Sequence, residues 1–280
     1  MSLDVKHLKP QIGSAVSVAK SALLQDEVIH GILDLLEQRG VLVFPRIGLS
    51  DAEQLALTDR LGTRVNYTRR VPGGNEAEPD VYRITLDPKL NPQPEYVQGT
   101  FFWHMDGLNS DVPPPKATVL SARRVSSRGG QTEFASTYAA YEYLAAEDKR
   151  ELAELKVVHM LLSSMRRVVQ DPTAEELERW SIPPVKTHPL VWQRQTGRKS
   201  LIIGSSADHV VGMPYADGRA LLTRLVEWAA QPDFSYTHQW QEGDLVIWDN
   251  TGTLHRVRPY ARDSGRTMHR TTIAGSEAVN

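Results

Sequence analysis

The chain has 280 residues, which is long enough for one large domain or two small ones. Its 32 basic and 34 acidic side chains give a formal net charge of -2, which argues against a nucleic-acid binder that works through a basic surface. The sequence contains no cysteine, so disulfides, iron–sulfur clusters and thiolate zinc sites are excluded. Any metal must therefore be bound by histidine, carboxylate or carbonyl groups.

Neither an export signal nor a membrane span is predicted. Charged residues interrupt the apolar residues near the N-terminus, at Asp4, Lys6, Lys9 and Lys20. No stretch approaches the roughly 20 apolar residues that a membrane helix needs. We expect a soluble, cytoplasmic protein that binds neither membranes nor nucleic acids.

The first third of the chain combines helices, strands and one long irregular segment. Residue spacing predicts helices over 26–39 and about 50–61, and strands over 41–45 and 81–86. Ser50 or Asp51 is a suitable N-cap for the second helix. Residues 63–100 are otherwise rich in Pro, Gly and Asn, which is more typical of a binding loop than of a linker.

The rest of the chain is rich in short strands. They are predicted at 116–124, 128–134, 154–161, 188–193, 200–204, 234–240, 244–249, 254–259 and 266–275, with helices at 136–144 and 218–230. Many short strands with a few covering helices indicate a β-sandwich or barrel. We expect a mainly β protein with flanking helices, folded as one domain over residues 1–280.

A histidine and an aspartate stand two positions apart in the segment Trp103-His104-Met105-Asp106. If this segment is extended, both side chains leave the same face, because strand side chains alternate. Such spacing alone is weak evidence for a metal site. His255, however, follows a turn with Asn250 and Gly252, and two histidines plus one carboxylate form the facial triad of non-haem Fe(II) oxygenases. We expect Asn250 to orient the turn that presents His255.

Longer segments strengthen this interpretation. The sequence resembles the taurine and phenoxyacetate dioxygenase (TauD/TfdA) family of 2-oxoglutarate-dependent oxygenases, nearly from end to end. The resemblance is carried by LKPQIGSAV, QRGVLVFPRIGLSDAEQLALTDRLG, WHMD, PPKATVLSARRVSSRGGQTEFAS, WDNTGTLHRV and RTMHRTTIAG. It implies a double-stranded β-helix (jelly-roll, cupin-like) core.

The resemblance also implies a catalytic centre. His104, Asp106 and His255 would bind Fe(II), with 2-oxoglutarate as co-substrate and O₂ as oxidant. Halogenating relatives lack the carboxylate, so the presence of Asp106 favours hydroxylation-type chemistry over halogenation.

Two arginines lie on the last predicted strand. Positions 266 and 270 share a face of an extended strand, and the planar guanidinium fork of arginine matches a carboxylate. By motif match, Arg266 would bind the distal carboxylate of 2-oxoglutarate, and Thr132 would add a hydroxyl group to it. Arg270 would contact either the co-substrate or an anionic group of the substrate.

Further substrate-binding residues are predicted in the loop after the second helix and beside the metal aspartate. They are Asn66, Tyr67, Arg70 and Gly107. Tyr67 replaces the histidine that taurine-type relatives use for a sulfonate, which argues against taurine itself. Gly107 removes side-chain bulk beside the iron and suggests a roomier pocket.

The sequence thus predicts a dioxygenase that oxidises a C–H bond of a small, anionic organic substrate and releases succinate and CO₂. Hydroxylation, desaturation and cleavage of a carbon–heteroatom bond all remain open, as does a homo-oligomeric state. Two other classes of protein remain open. A zinc hydrolase would use the same ligands but gives no reason for the paired arginines, and a non-catalytic jelly-roll protein would bind a small anion without producing succinate.

Overall fold

The computed structural model describes residues 3–65 and 81–280, so the predicted substrate residues Asn66, Tyr67 and Arg70 lie outside the described residues. The strands are β1 (Asp4–His7), β2 (Ser14–Ser17), β3 (Val41–Phe44), β4 (Tyr82–Ile84), β5 (Ala117–Arg124), β6 (Thr132–Ser136), β7 (Lys156–His159), β8 (Lys186–Pro189), β9 (Val191–Gln193), β10 (Lys199–Leu201), β11 (Ala207–Val210), β12 (Ser235–His238), β13 (Leu245–Asp249), β14 (Thr253–Val257) and β15 (Thr267–Ile273). The helices are α1 (Asp26–Arg39), α2 (Asp51–Leu61), α3 (Pro94–Gly99), α4 (Thr137–Glu142), α5 (Ala146–Leu152), α6 (Leu161–Met165), α7 (Ala174–Ser181) and α8 (Tyr215–Ala229).

Two sheets enclose the apolar core that carries the candidate site. The larger has the strand order β1-β2-β3-β13-β5-β15-β4, and the smaller has the order β12-β6-β14. Phe134 on β6 packs between them against Leu120, Val246, Trp248 and Met268 of the larger sheet. All five side chains are buried. Strand alternation therefore points one side of each sheet toward the other, as in a jelly roll.

The first two helices cover the outer face of the larger sheet. Ile32 of α1 and Leu57 of α2 are fully buried in one cluster with Ile247 of β13. α2 starts with a capping box, in which the Ser50 hydroxyl accepts from the Glu53 backbone and the Glu53 carboxylate accepts from the Ser50 backbone. In the described parts of the chain, we find no helix both long and apolar enough to cross a membrane.

The segment 188–193 departs from its prediction as one strand. It forms the end of β8 and all of β9, which belong to different sheets: β8 pairs with β7, and β9 pairs with β10. The chain changes sheets at Leu190, whose N–H donates to Leu155 O and whose carbonyl accepts from Ile202 N. The apolar residues at 189–192 cannot reveal such a crossing, because it depends on which distant strands pair with each half of the segment.

His159 on β7 makes a testable contribution to stability. Its ring is fully buried, its Nδ1 lies 2.9 Å from Ser206 Oγ, and burial lowers its pKa from 6.5 to about 3. Between pH 6.5 and 3 the unfolded chain therefore binds a proton that the folded chain does not, and stability falls as the pH falls. For this one group the loss at pH 5 is about 2 kcal/mol.

Between pH 7.5 and pH 5, the free energy of unfolding of the variant H159N should therefore fall by about 2 kcal/mol less than that of the wild type. Urea denaturation at the two pH values measures the difference. S206A removes the hydrogen-bond partner without removing the titrating ring, and it should keep the wild-type loss. Equal losses in H159N and the wild type would refute this role.

Candidate metal centre and its cavity

The two histidines of the predicted triad are held together by their own backbones. His104 N donates to His255 O at 3.0 Å, and His255 N donates to His104 O at 2.9 Å, which makes an isolated antiparallel bridge. His255 lies in the middle of β14, so the segment around His104 extends the edge of the smaller sheet at this point. Because paired residues place their side chains on the same face, both imidazoles point the same way, with ring centroids 4.1 Å apart.

Asp106 completes the cluster. Its Oδ1 lies 4.0 Å from His104 Nε2 and 3.9 Å from His255 Nε2, and the three ligand atoms all lie within 4.8 Å of one another. Ligand atoms that share one ion at bond lengths of about 2.1 Å are about 3 Å apart, so a small contraction suffices. The structure thus brings together the three residues that the sequence predicts as ligands.

The protonation states suit metal binding. Burial lowers the pKa of His104 and lowers that of His255 to about 3, so both rings are neutral near pH 7. Burial alone would raise the pKa of Asp106, but the surrounding groups, namely the two imidazoles, the Arg270 guanidinium and the Thr118 hydroxyl, outweigh burial and hold this pKa below its ordinary value. His104 Nδ1 lies 2.9 Å from Phe102 O, which fixes its proton there and leaves Nε2 as the ligand atom.

The second oxygen of Asp106 belongs to a different set of contacts. Thr118 on β5 donates its hydroxyl proton to Asp106 Oδ2 at 3.2 Å, and Asn250 Nδ2 donates to Thr118 Oγ1 at 2.9 Å. The Asn250 side chain thus links the turn before His255 to Thr118 on β5 and, through Thr118, to Asp106. The role of Asn250 in orienting this turn stays a prediction.

Arg266 and Thr132 lie in a second polar region. The Arg266 side chain is buried, with its guanidinium 4.8 Å from the centre of the Tyr260 ring, and its Nη2 has no hydrogen-bond partner among the described residues. Burial lowers its pKa, which a carboxylate partner would oppose. Gly130, in the GGQT segment, lies against the Arg266 stem: a Cβ there would be 3.0 Å from Cδ. Thr132 Oγ1 accepts from Trp240 Nε1 at 2.9 Å, so its own proton is left to donate.

Arg270 lines a cavity beside the ligand cluster. Its Nη1 lies 3.8 Å from Asp106 Oδ2, and its guanidinium lies 5.0 Å from the centre of the Tyr82 ring. The cavity has a volume of about 260 Å³. His104 and Asp106 line the same cavity, and much of the remaining wall is apolar, with Tyr82, Ile84, Val97, Met105, Leu161 and Met165.

Gly107 lines the cavity, but its lack of a side chain does not enlarge the cavity. Its φ is +83°, and a Cβ would lie 2.5 Å from Pro115 Cδ and 3.1 Å from Pro114 Cα. The missing side chain would thus point into Pro114 and Pro115, and glycine is required there by conformation and close packing. The predicted gain of pocket volume is wrong.

Several residues of the site were not predicted. Thr118 is one, although alternation along β5 places it on the same face as the core residues Leu120 and Ala122. Ser205 is another: its N–H donates to Trp103 O at 2.7 Å, beside His104. The α6 side chains reach the cavity only through tertiary packing, for which the sequence offers no signal.

The fold and the ligand cluster define a jelly-roll protein with a candidate two-histidine, one-carboxylate metal site. The model of the family "Taurine catabolism dioxygenase TauD, TfdA family" matches residues 4–272. An alpha-ketoglutarate-dependent 2,4-dichlorophenoxyacetate dioxygenase of Cupriavidus pinatubonensis is 34% identical, covering 100% of both chains. A (S)-phenoxypropionate/alpha-ketoglutarate-dioxygenase of Delftia acidovorans is 30% identical, covering 98% of this chain and 96% of the relative.

Solved structures agree. The crystal structure of AAD-2 in complex with Mn(II) and N-oxalylglycine has a TM-score of 0.81 and 30% identity, and the match covers 100% of both chains. A taurine dioxygenase from Burkholderia xenovorans has a TM-score of 0.78 and 27% identity over 99% of this chain and 90% of that one. The chain belongs to the TauD/TfdA family, and the predicted jelly-roll core is confirmed.

The protein is an Fe(II)- and 2-oxoglutarate-dependent dioxygenase that acts on a small organic substrate. Two neutral imidazoles and one carboxylate fit Fe(II). Arg266 Nη2, to which no described residue is hydrogen-bonded, fits the carboxylate of a keto acid. When bound, the iron activates O₂ in a reaction coupled to decarboxylation of 2-oxoglutarate. The chain's own residues bind and orient the reactants beside it.

Proposed function

We propose that this dioxygenase oxidises the carbon next to the anionic group of an aryloxyalkanoic acid. In this proposal His104, Asp106 and His255 bind the iron. Arg266 and Thr132 bind the distal carboxylate of 2-oxoglutarate, and Arg270 binds the carboxylate of the substrate. The names of the similar proteins, which act on dichlorophenoxyacetate and phenoxypropionate, support this substrate class.

The observation that carries the proposal is the position of Arg270. It is a cation on the wall of a largely apolar cavity, 3.8 Å from a carboxylate of the ligand cluster. An acid bound to Arg270 would place its α carbon closest to the metal ligands and its apolar body against Val97, Leu161 and Met165. A volume of about 260 Å³ suits a single aromatic ring with a short acid chain.

The expected outcome is cleavage of the ether. Insertion of one oxygen atom into the α C–H bond of an aryloxyacetate gives a hemiacetal, which separates into a phenol and glyoxylate. The second oxygen atom enters the new carboxyl group of succinate, and the carboxyl group attached to the keto carbon of 2-oxoglutarate leaves as CO₂. Phenol, glyoxylate and succinate should therefore form in equal amounts.

A substrate panel scored by succinate release tests the proposal. Phenoxyacetate and 2-phenoxypropionate should raise succinate formation well above the substrate-free rate, and taurine should not. Equal stimulation by taurine, or no stimulation by any aryloxy acid, would contradict it.

The variant R270Q separates the two proposed carboxylate sites. Losing a charged partner of a buried carboxylate costs about 2–5 kcal/mol, so KM for phenoxyacetate should rise by about 30-fold or more. The dissociation constant for 2-oxoglutarate should stay within a few-fold of the wild-type value. A larger effect on 2-oxoglutarate than on phenoxyacetate would place Arg270 at the co-substrate instead.

The cellular setting proposed is the cytoplasm. A chain without cysteine has no disulfide to form in an oxidising compartment, and 2-oxoglutarate is a metabolite of the cell interior. Fractionation of the producing cells, followed by immunodetection, should find the protein with cytoplasmic markers, and recovery in an exported fraction would contradict this.

A further inference from the structure

We infer that Thr118 and Asn250 are positioning residues that hold Asp106 so that only one of its oxygens faces the metal ligands. The inference rests on the proposed function, because it takes Asp106 to be a ligand. It adds two residues that act on the metal centre without touching it.

The two oxygens of Asp106 have different surroundings. Oδ1 faces the ligand atoms, at 4.0 Å from His104 Nε2 and 3.9 Å from His255 Nε2. Oδ2 has other neighbours, at 3.2 Å from Thr118 Oγ1 and 3.8 Å from Arg270 Nη1. One oxygen is therefore available to a metal ion, while the other already has a hydrogen bond and a nearby cation.

The hydrogen bonds have one consistent direction. An ionised carboxylate can only accept, so the Thr118 hydroxyl must give its proton to Asp106 Oδ2. The same hydroxyl oxygen can then accept the N–H of Asn250 Nδ2, 2.9 Å away. Hydrogen bonds to an ionised group are stronger than neutral ones, so this relay resists rotation of the carboxylate.

Both members of the relay have rigid backbones. Thr118 lies in β5 between two strands of the larger sheet, paired with Trp248 of β13 and Thr272 of β15, and is fully buried. Asn250 is buried too, and its N–H donates to Lys116 O at 3.0 Å. The position of Oδ2 is thus fixed by the sheet itself, before any metal binds.

The consequence is a carboxylate that can ligate through one oxygen. With two histidines, this leaves the remaining coordination positions to the co-substrate and O₂. A carboxylate free to rotate could turn both oxygens toward the ion, or neither. Loss of the relay should therefore weaken metal binding as well as turnover, because outer contacts typically contribute 10–100-fold to metal affinity.

Binding of Mn(II) to the purified protein, followed by the electron paramagnetic resonance signal of free Mn(II), tests the relay without any turnover. T118V should weaken Mn(II) binding by about 10-fold or more, and T118S, which restores the hydroxyl, should bind like the wild type. T271V is the matched control. It removes a buried threonine hydroxyl from β15 that contacts Thr58 of α2 at 2.7 Å, on the other side of the sheet. It should bind Mn(II) like the wild type.

N250A shows whether the two residues act in series. It should weaken Mn(II) binding less than T118V, and the double variant should bind like T118V alone, because Asn250 acts through Thr118. Additive losses of Mn(II) affinity in the double variant would contradict a relay. A Mn(II) affinity of T118V within twofold of that of the wild type and of T271V would contradict it as well. If the wild type itself fails to bind Mn(II), the proposed metal centre is wrong as well.

Discussion

Replacing Asp106 by alanine is expected to lower the affinity for Fe(II) or Mn(II) by at least about 100-fold and to abolish succinate formation. The substitution removes the only carboxylate of the candidate ligand cluster and leaves two imidazoles 4.1 Å apart, centre to centre. A site of two neutral ligands loses the charge that attracts a divalent cation, and Arg270 loses the carboxylate that lies 3.8 Å away. Equilibrium dialysis against the metal, with succinate measured in parallel, gives both numbers.

The control for this substitution is D111A. Asp111 is an exposed carboxylate five positions further along the chain, ion-paired with Lys186 at the surface. Exposed pairs contribute little, so D111A should keep full metal binding and turnover. Unchanged metal affinity in D106A would remove Asp106 from the ligand set, whatever happened to the activity.

Replacing Arg266 by leucine is expected to raise the dissociation constant for 2-oxoglutarate by about 30-fold to 5,000-fold while leaving the metal affinity unchanged. Arg266 is buried, and its Nη2 has no partner among the described residues. In the leucine variant, a carboxylate bound at this position would lose a charge-assisted hydrogen bond in a site with little water. Truncating one partner of such a pair costs about 2–5 kcal/mol. Calorimetric titration of the anaerobic Mn(II) protein with 2-oxoglutarate measures the change.

R258L is the matched control for R266L. Arg258 is a more exposed arginine just after β14, where it donates to Glu133 at 2.7 Å and so already has a carboxylate partner. It should bind 2-oxoglutarate within twofold of the wild type. If R266L also bound it within twofold, the distal carboxylate would have to lie elsewhere, and Arg270 would be the next residue to test.

Two members of the candidate ligand cluster could be predicted because the signal that joins them is local. Residues two positions apart share a face of any extended segment. The spacing of His104 and Asp106 therefore has the same meaning whatever the rest of the fold is. His255 was placed by a turn and by the resemblance of its surroundings to a family. The central strands β5 and β13 of the larger sheet were likewise predictable, because each is a short run of mostly apolar residues bounded by turn residues. The edge strands β1 and β2 were not predicted.

What the sequence could not provide is pairing between distant segments. The bridge between His104 and His255, the contact of Thr118 with Asp106, and the Leu190 crossing between sheets join residues far apart in the chain. Gly107 shows a related limit. Its missing side chain suggested space beside the iron, yet only the packed positions of Pro114 and Pro115 reveal that the space is already filled.

We propose that His104, Asp106 and His255 hold Fe(II) while Arg266 orients 2-oxoglutarate upon it. Anaerobic titration of the metal-free protein with Fe(II) and then 2-oxoglutarate, followed by visible absorption, tests it most directly. We expect a weak charge-transfer band that requires both Fe(II) and 2-oxoglutarate. Zn(II) should not produce this band, and D106A should not show it. Full Fe(II) occupancy without such a band, or an identical band in D106A, would contradict it.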